Sequence, residues 1–554
     1  MGMASYEKAS TAQDLRQHYK SPIKMNSLSL ANFKAFGPEI QEASIKPITL
    51  IFGPNSSGKS SLIHSMLWLS HSLRGLGSDF NVRIPAGTPE IDLGGFDQFV
   101  HQSNSEKAIT VGWSCEASNI PDVDNEPYIP KIRGSYDYDL CLRIEIFTNG
   151  AGEYSRGICS ISFMADEDLL FTAVSVDGIG MAINDINVDH VIVRDLVAMW
   201  SSSKITKHSQ EEYKKIIKSY AIHNIYHLID KDIEPWIRNP AIFYNGVTLY
   251  SDQTLLTLYT EGTDAYKRED DLCSYFDKKL KFKLLENPES INEELAKIIN
   301  SLLEFTEHAI QKKLVNMSHV SGLRKLPSRN FDPLNSGDAR WKTFATDEKI
   351  RNRVNKWIGS DFMNTPYQLG VKRFIAEDFE SDCSSSLKAS DMKHELFIHD
   401  IKSNTKLTLQ DVGVGISQVV PVLIEAMANK DTTVCIEQPE IHLHPALQAE
   451  MGDVFIESAL GENKNTFFLE THSEHLILRI LRRIRETGEN DMSDWPESLR
   501  TACPNGISPD DVAVLYVQSG ENGAQLTNLP IDIYGEFVGD WPGGFFEERL
   551  KEIF

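Results

Sequence analysis

Apolar and polar positions are organised differently at the two ends of the chain than in its middle. Near the N-terminus two strand-length apolar runs, at 28–36 and 47–52, precede a segment at 59–73 that is expected to be helical. Towards the C-terminus, short apolar runs at 433–436, 466–469 and 512–517 are separated by helical patterns. Strands alternating with helices predict an α/β sheet. Between the ends, residues 114–400 show helix-like segments near 210–221 and 291–315, with polar loops elsewhere. No heptad run there is long enough for extended coiled-coil arms, and no solenoid period is visible. The simplest organisation is a loose arm at 1–24, a lobe at 25–113, a compact and mainly helical insertion at 114–400, and a second lobe at 401–554. The two lobes are expected to form one domain.

Length and composition narrow the classes. A chain of 554 residues with 41% apolar and 24% charged residues can bury large cores and is not a disordered polymer. Asp and Glu outnumber Lys and Arg by 79 to 55, a formal charge of −24, which argues against indiscriminate coating of DNA or anionic lipid by the whole surface. The seven cysteines are scattered and never spaced C-x-x-C, so reduced thiols are expected rather than a disulfide or zinc framework. No apolar run approaches the ~18 residues of a membrane span. The first 24 residues lack the apolar core of a secretory signal, and Tyr6 stands where a myristoylation site needs Ser or Thr. A cytoplasmic protein with no membrane partner is the expectation.

The chemistry lies at the strand ends. Gly53-Pro54-Asn55-Ser56-Ser57-Gly58-Lys59-Ser60 fits G-x-x-x-x-G-K-[ST], follows an apolar strand and opens a helix, as that motif requires. Glycines let backbone N–H groups close around a β-phosphate, and the helix N-terminus adds positive potential. Lys59 then reaches the terminal phosphates, Ser60 offers a hydroxyl to Mg²⁺, and Ser61 completes the phosphate-binding set. The apolar run 433–436 ends in Glu437-Gln438-Pro439-Glu440, a carboxylate placement that holds Mg²⁺ through its water shell. The run 467–469 ends in Glu470-Thr471-His472-Ser473, where His472 can reach a γ-phosphate. Upstream, Asp411-Val412-Gly413-Val414-Gly415-Ile416-Ser417-Gln418 is a glycine-rich turn leading into an apolar helix, a second anion site.

In this order the motifs resemble the ABC-type heads of the RecF and overcoming-lysogenisation (OLD) group, which work as dimers with each ATP between one P-loop and the other subunit's signature turn. More narrowly, E-Q-P-E-I-H-L-H-P, V-G-V-G-I-S-Q-V-V-P and G-D-W-P-G-G-F-F-E-E-R resemble the PtuA ATPases of Septu and retron-associated antiphage defence. The likeness covers 25–113 and 407–554; within the insertion it has only Leu323-Arg324-Lys325-Leu326-Pro327-Ser328-Arg329. The resemblance implies an ATP-binding regulatory subunit using Mg²⁺. Its partners would be a second copy of itself in a head-to-head dimer or higher oligomer, an HNH-type nuclease, and possible further partners in a reverse transcriptase and its DNA product. Gly415, Ser417 and Gln418 would face the nucleotide of the other protomer, His472 would be the switch histidine, and Gln98, with Gln102 as a rival, would approach Mg²⁺ alongside Ser60 and Glu437.

One departure bears on catalysis. Such heads usually end the metal-binding strand in Asp-Glu; here the pair is Glu437-Gln438, and Gln438 cannot accept a proton. Either Glu440 takes that role or hydrolysis is slow. His444 also replaces the Asp common in the following loop. The −24 charge disfavours the alternative of a RecF/OLD-like DNA-repair or chromosome-maintenance ATPase that binds DNA itself. The insertion and the signature likewise disfavour a transporter ATPase.

Weaker signals have plainer readings. Arg479, Arg482, Arg483 and Arg485 read as a solvated, acid-paired helix face before they read as a DNA or nuclease contact. Lys214, Lys215, Lys218, Lys278, Lys279, Lys281 and Lys283 read as surface. The segment 541–546 reads as a packed anchor before a partner patch. A metal-dependent nuclease domain of the OLD type needs on the order of 100 residues and a D-x-D pair. Residues 518–554 offer neither, so no nuclease is expected on this chain.

Overall fold

The computed structural model describes residues 25–74, 91–94, 96–104, 108–116, 139–148, 156–165, 168–176, 180–187, 317–324, 332–333, 339–359, 362–375, 392–539 and 541–542. The chain divides into two compact units, one of 1–42, 68–88 and 92–315, the other of 43–67, 89–91 and 316–554.

The first unit carries a seven-stranded sheet in the order β2-β1-β4-β5-β6-β7-β8. Its members are β1 (Met25–Ala31), β2 (Gln41–Ser44), β4 (Ile109–Glu116), β5 (Asp139–Thr148), β6 (Arg156–Ala165), β7 (Asp168–Val176) and β8 (Gly180–Ile186). From β1 through β4 to β8 each neighbouring pair is antiparallel. Phe33, Trp68 and Phe99 form an aromatic cluster with ring centroids 5.5–6.0 Å apart. The described part of 114–400 is therefore richer in strand than the mainly helical insertion expected there. The physical reason is visible in β5: Leu140, Leu142, Ile144 and Ile146 alternate with Cys141, Arg143 and Glu145, a period-two pattern. The helix-like segments near 210–221 and 291–315 lie outside the described residues, as do the lysines at 214–218 and 278–283.

The second unit is a mixed sheet in the order β16-β15-β3-β14-β13-β9 with helices packed on it, an α/β fold. The strands are β3 (Ile48–Phe52), β9 (Met317–Val320), β13 (Thr433–Glu437), β14 (Thr466–Glu470), β15 (Val512–Gly520) and β16 (Gly523–Asn528). All run parallel except β16, which returns beside β15. β3 is buried along its whole length, as its uninterrupted Ile-Thr-Leu-Ile-Phe run dictates for a central parallel strand. Burial of each large apolar side chain there contributes about 1.5–3 kcal/mol.

The helices are α1 (Lys59–Arg74), α2 (Ala339–Thr346), α3 (Glu348–Ile358), α4 (Val414–Ala428), α5 (Pro445–Leu460), α6 (Glu474–Gly488) and α7 (Glu497–Ala502). A smaller three-stranded sheet, β10 (Tyr367–Ile375), β11 (Met392–Asp400) and β12 (Thr405–Leu407), completes the unit. α4 is apolar on all sides from Val419 to Met427 apart from Glu425, and is buried accordingly. Glu425 is matched by Arg340 at 3.4 Å and by Ser318.

The arginine cluster of α6 divides: Arg483 is buried and Arg479 half-buried against α5, while Arg482 and Arg485 stand exposed, as a solvated helix face would have them. Asp453 of α5 is fully buried and receives Arg483 Nε at 2.9 Å, Arg483 Nη2 at 2.8 Å and Arg479 Nη1 at 2.5 Å. Arg482 pairs with Asp494 at 3.0 Å and with Glu486. At the C-terminal end Trp541 packs edge-on against Phe537, Phe52 and Tyr516 with centroids 4.8, 5.4 and 6.0 Å away. Among the described residues no helix is long and apolar enough to cross a membrane.

Candidate nucleotide-binding site

The site forms where the parallel strands end. β3 runs directly into the glycine loop, and Gly53 takes φ +143° with β15 crowding it. A Cβ there would lie 2.0 Å from the Val517 carbonyl oxygen, so only glycine permits this approach of loop to strand. Gly58, at φ +107°, turns the chain into α1. Lys59 is buried and donates to the carbonyls of Gly53 at 3.0 Å and Pro54 at 2.7 Å. Burial lowers its pKa, and the charge of Glu470 pulls it back up. Ser57 Oγ is buried with no hydrogen-bond partner among the described residues. A buried hydroxyl and a buried ammonium inside a loop of N–H groups suit a polyphosphate.

Two carboxylates face this loop in register. Glu437 ends β13, Glu470 ends β14, and the two are partners in the parallel ladder. Ser60 Oγ donates to Glu470 Oε2 at 2.7 Å. Burial raises the Glu470 pKa; the Ser60 hydrogen bond opposes that, while the Glu437 charge adds to it. Glu437 behaves in the opposite way. Burial pushes its carboxyl up, but His319 Nε2 at 3.1 Å and His64 Nε2 at 3.4 Å outweigh that and hold it well below the ordinary carboxylate range. The Gly322 amide donates to its other oxygen at 3.3 Å.

Hard oxygen donors at a hydroxyl and two carboxylates suit Mg²⁺, which takes one or two carboxylates and completes its shell with water and phosphate. With its proton committed to Glu470, the Ser60 oxygen can turn a lone pair to the metal. Among the described residues no group of three or more His, Cys, Asp or Glu forms a metal cluster by itself.

Glu440 sits on the turn after β13. Its Oε1 accepts the His472 amide at 2.7 Å, and Oε2 is buried with no hydrogen-bond partner within ordinary distance among the described residues. Burial raises its pKa, with the His472 amide opposing. His472, half-buried at the end of β14, has its pKa lowered by burial and by the Lys59 charge. Gln438 takes φ +46°, and its amide donates to the Glu470 carbonyl at 2.7 Å. Thus Lys59, Ser60, Glu437, Gln438, Glu440 and His472 converge. Glu470 joins them although sequence reasoning gave it no role; its position one residue before Thr471-His472-Ser473, at a strand end, was the available signal.

The glycine-rich turn is arranged differently from the sequence expectation in one respect. Gly415 lies against the loop after β13, where a Cβ would meet the His442 carbonyl oxygen at 2.7 Å. Ser417 is 1% exposed and its hydroxyl donates to the Val414 carbonyl at 2.9 Å, while Gly413 and Val414 stand in solvent. Gln418 is also buried, with Nε2 donating to the Arg324 carbonyl at 3.2 Å. His444 caps α5, its Nδ1 accepting the Ala446 amide at 3.3 Å. Gln98 belongs to the first unit, exposed on a short helical turn, Phe96–Phe99, and folded over Gly94. Gln102 of the same unit is exposed at φ +56°.

Residues 24–477 match the family described as the AAA ATPase domain. The chain belongs to that family. In this AAA-family ATPase the match spans the P-loop, both strand-end carboxylates and His472, and it stops inside α6. Residues 507–554 match a second family, described as a protein of unknown function, DUF3696. Among curated proteins no relative matches the chain. Solved structures similar to the ATPase include an Smc head domain with an extended coiled coil, bound to the C-terminal domain of ScpA, from Pyrococcus furiosus. Identity is 11%, coverage 96% of this chain and 98% of that one, and the TM-score 0.33. The SMC head domain from Thermotoga maritima gives 10% identity, 92% and 99% coverage and a TM-score of 0.31.

Proposed function

We propose that this ATPase binds ATP with Mg²⁺ at the strand ends of its second unit, hydrolyses it slowly, and uses the bound state to regulate a nuclease carried on another chain. The observation that carries the reading is the convergence of Lys59, Ser60, Glu437, Glu470, Glu440 and His472 around one phosphate-binding loop. Mg²⁺, when bound, neutralises phosphate charge. Lys59 exchanges the loop carbonyls for phosphate oxygens, and His472 lies near enough to Lys59 to meet the γ-phosphate. Glu440, desolvated and made more basic, takes a proton at Oε2 from the attacking water. The new O–P bond forms at the γ-phosphorus as the bond to the β–γ bridging oxygen breaks, releasing ADP and phosphate. Turnover is slow because Gln438 occupies the usual base position.

Assembly follows the motif resemblance. In a head-to-head dimer the exposed Gly413 and Val414, rather than the buried Ser417 hydroxyl, would meet the nucleotide of the second copy. An HNH-type nuclease, with a reverse transcriptase and its DNA product in the retron version, is the partner implied by the E-Q-P-E-I-H-L-H-P and V-G-V-G-I-S-Q-V-V-P runs, in a cytoplasmic antiphage complex. Pairing of Arg479 and Arg483 with Asp453 removes two cations from any DNA-binding face. The test is ATP titration of the wild type and Lys59→Ala, with co-purification alongside the products of neighbouring genes. Unchanged ATP affinity in Lys59→Ala refutes the site. Robust DNA cleavage by the isolated chain refutes the division of labour, and salt-sensitive DNA affinity favours a RecF/OLD-like DNA-binding ATPase instead.

A further inference from the structure

Arg324 takes no part in the chemistry described above, yet it is buried directly behind it. It follows β9, which pairs with β13 in parallel and ends beside it, so the 321–324 segment passes over the end of β13. Only 9% of Arg324 is exposed. Among the described residues its guanidinium touches no carboxylate by hydrogen bond; instead Nη2 donates to the carbonyls of Glu437 and Gln438, each at 2.9 Å, and Nη1 donates to the Gln418 carbonyl at 3.3 Å. The Gln418 side chain returns a bond to the Arg324 carbonyl at 3.2 Å.

We propose that Arg324 is a positioning residue that sets the turn carrying Glu440 and ties it to α4 at Gln418, one turn in from the start of that helix. Two successive carbonyls can share one nitrogen because Gln438 is left-handed, a conformation an L-residue adopts at a cost and keeps only when its surroundings hold it. Arg324 supplies that hold from one side, and the Glu470 carbonyl, bonded to the Gln438 amide, supplies it from the other. Two residues on, Glu440 leaves the same turn towards His472. On the far side, Gln418 belongs to the helix whose exposed first turn is the glycine signature. A shift of that turn therefore reaches Glu440 through one planar, rigid fork. Burial lowers the arginine to about 10, with Glu440 and Glu437 holding it up against that, so it stays charged at neutral pH.

This inference rests on the proposed ATPase reading, and its test separates the two. Arg324→Met removes the fork, and Arg324→Lys keeps the charge but not its planar geometry. Expected are ATP affinities within about threefold of wild type and single-turnover hydrolysis slower by about 30- to 100-fold, the range that a misplacement near 1 Å produces. Amide hydrogen exchange in ligand-free protein should quicken at 437–444 and 414–419 and stay unchanged at 53–60. The exchange arm needs no hydrolysis, so a wild type inactive on ATP sinks the ATPase reading alone. Unchanged exchange in the two segments overturns the inference, as does an equal loss of binding and turnover. If the Met variant does not fold, the Lys variant decides by the same criteria.

Discussion

Ser60 and Glu470 stand 410 residues apart in sequence, yet the hydroxyl of one donates to the carboxylate of the other at 2.7 Å. The bond fixes which way the serine lone pairs point. Glu470→Gln keeps an acceptor for that proton and removes the charge. The expected result is a Mg²⁺ half-saturation raised about 10-fold for nucleotide binding, the low end of what loss of a supporting metal contact costs. Binding of nucleotide without metal should be no weaker than in the wild type. Titration of a fluorescent ATP analogue at several Mg²⁺ concentrations measures both.

Glu440 and Gln438 should separate in single-turnover hydrolysis. Glu440→Gln is expected to slow the step about 100-fold with ATP affinity retained, as loss of a general base does. Gln438→Ala should change the rate less than about threefold, because its side chain carries no basic oxygen. A Glu440→Gln variant as fast as wild type would mean that another group, or water alone, accepts the proton.

The same glutamate predicts a pH dependence of stability. Its pKa is raised in the fold, chiefly by burial, so the folded protein binds that proton more tightly than the unfolded chain. The resulting stability is present below the ordinary carboxyl value and is lost as pH rises through the raised folded value. Glu440→Gln carries no such loss and keeps an oxygen for the His472 amide. It should melt higher than wild type at neutral pH and at the same temperature in acid. Glu437, depressed in the fold, has the opposite sign, but it is common to both proteins and cancels. Calorimetry across that range reads the difference.

Asp453 should be costly to remove. It is fully buried beneath Arg479 and Arg483, the second of which is itself 3% exposed. Asp453→Ala removes the buried carboxylate the two share and leaves Arg479 with Glu450 and Arg483 with Glu486 alone, a change of about 3 kcal/mol in unfolding free energy. Urea denaturation measures it, and added salt should recover little of the loss because the pairs are shielded from solvent.

Much of this site was legible because its parts are local. The P-loop, Glu437, Glu440 and His472 each sit at the end of an apolar run that marks a buried strand. Arg324 was not legible as a positioning group: its partners are backbone carbonyls of residues 94 to 114 positions away, and a carbonyl has no sequence signature. Burial of Ser417 follows from a place one turn inside α4, where the helix faces inward, and not from residue type. Of the arginines of α6, Arg482 and Arg485 are at the surface as read, whereas Arg479 and Arg483 turn inward because their acidic partner, Asp453, belongs to a different helix. The period-two alternation in β5 was available in the sequence but was outweighed by the helical segments elsewhere in 114–400.

The placement of β3 has a consequence for how the chain is made. This fully buried strand pairs on one side with β14 and on the other with β15, both encoded far downstream of it. During synthesis it leaves the ribosome hundreds of residues before either neighbour exists, carrying two unsatisfied edges and no partner in its own sheet. Closing so long a loop adds only slowly to the entropy cost, but it delays the contact. The phosphate-binding loop can therefore take its final shape only once β15, whose Val517 carbonyl crowds Gly53, has been made.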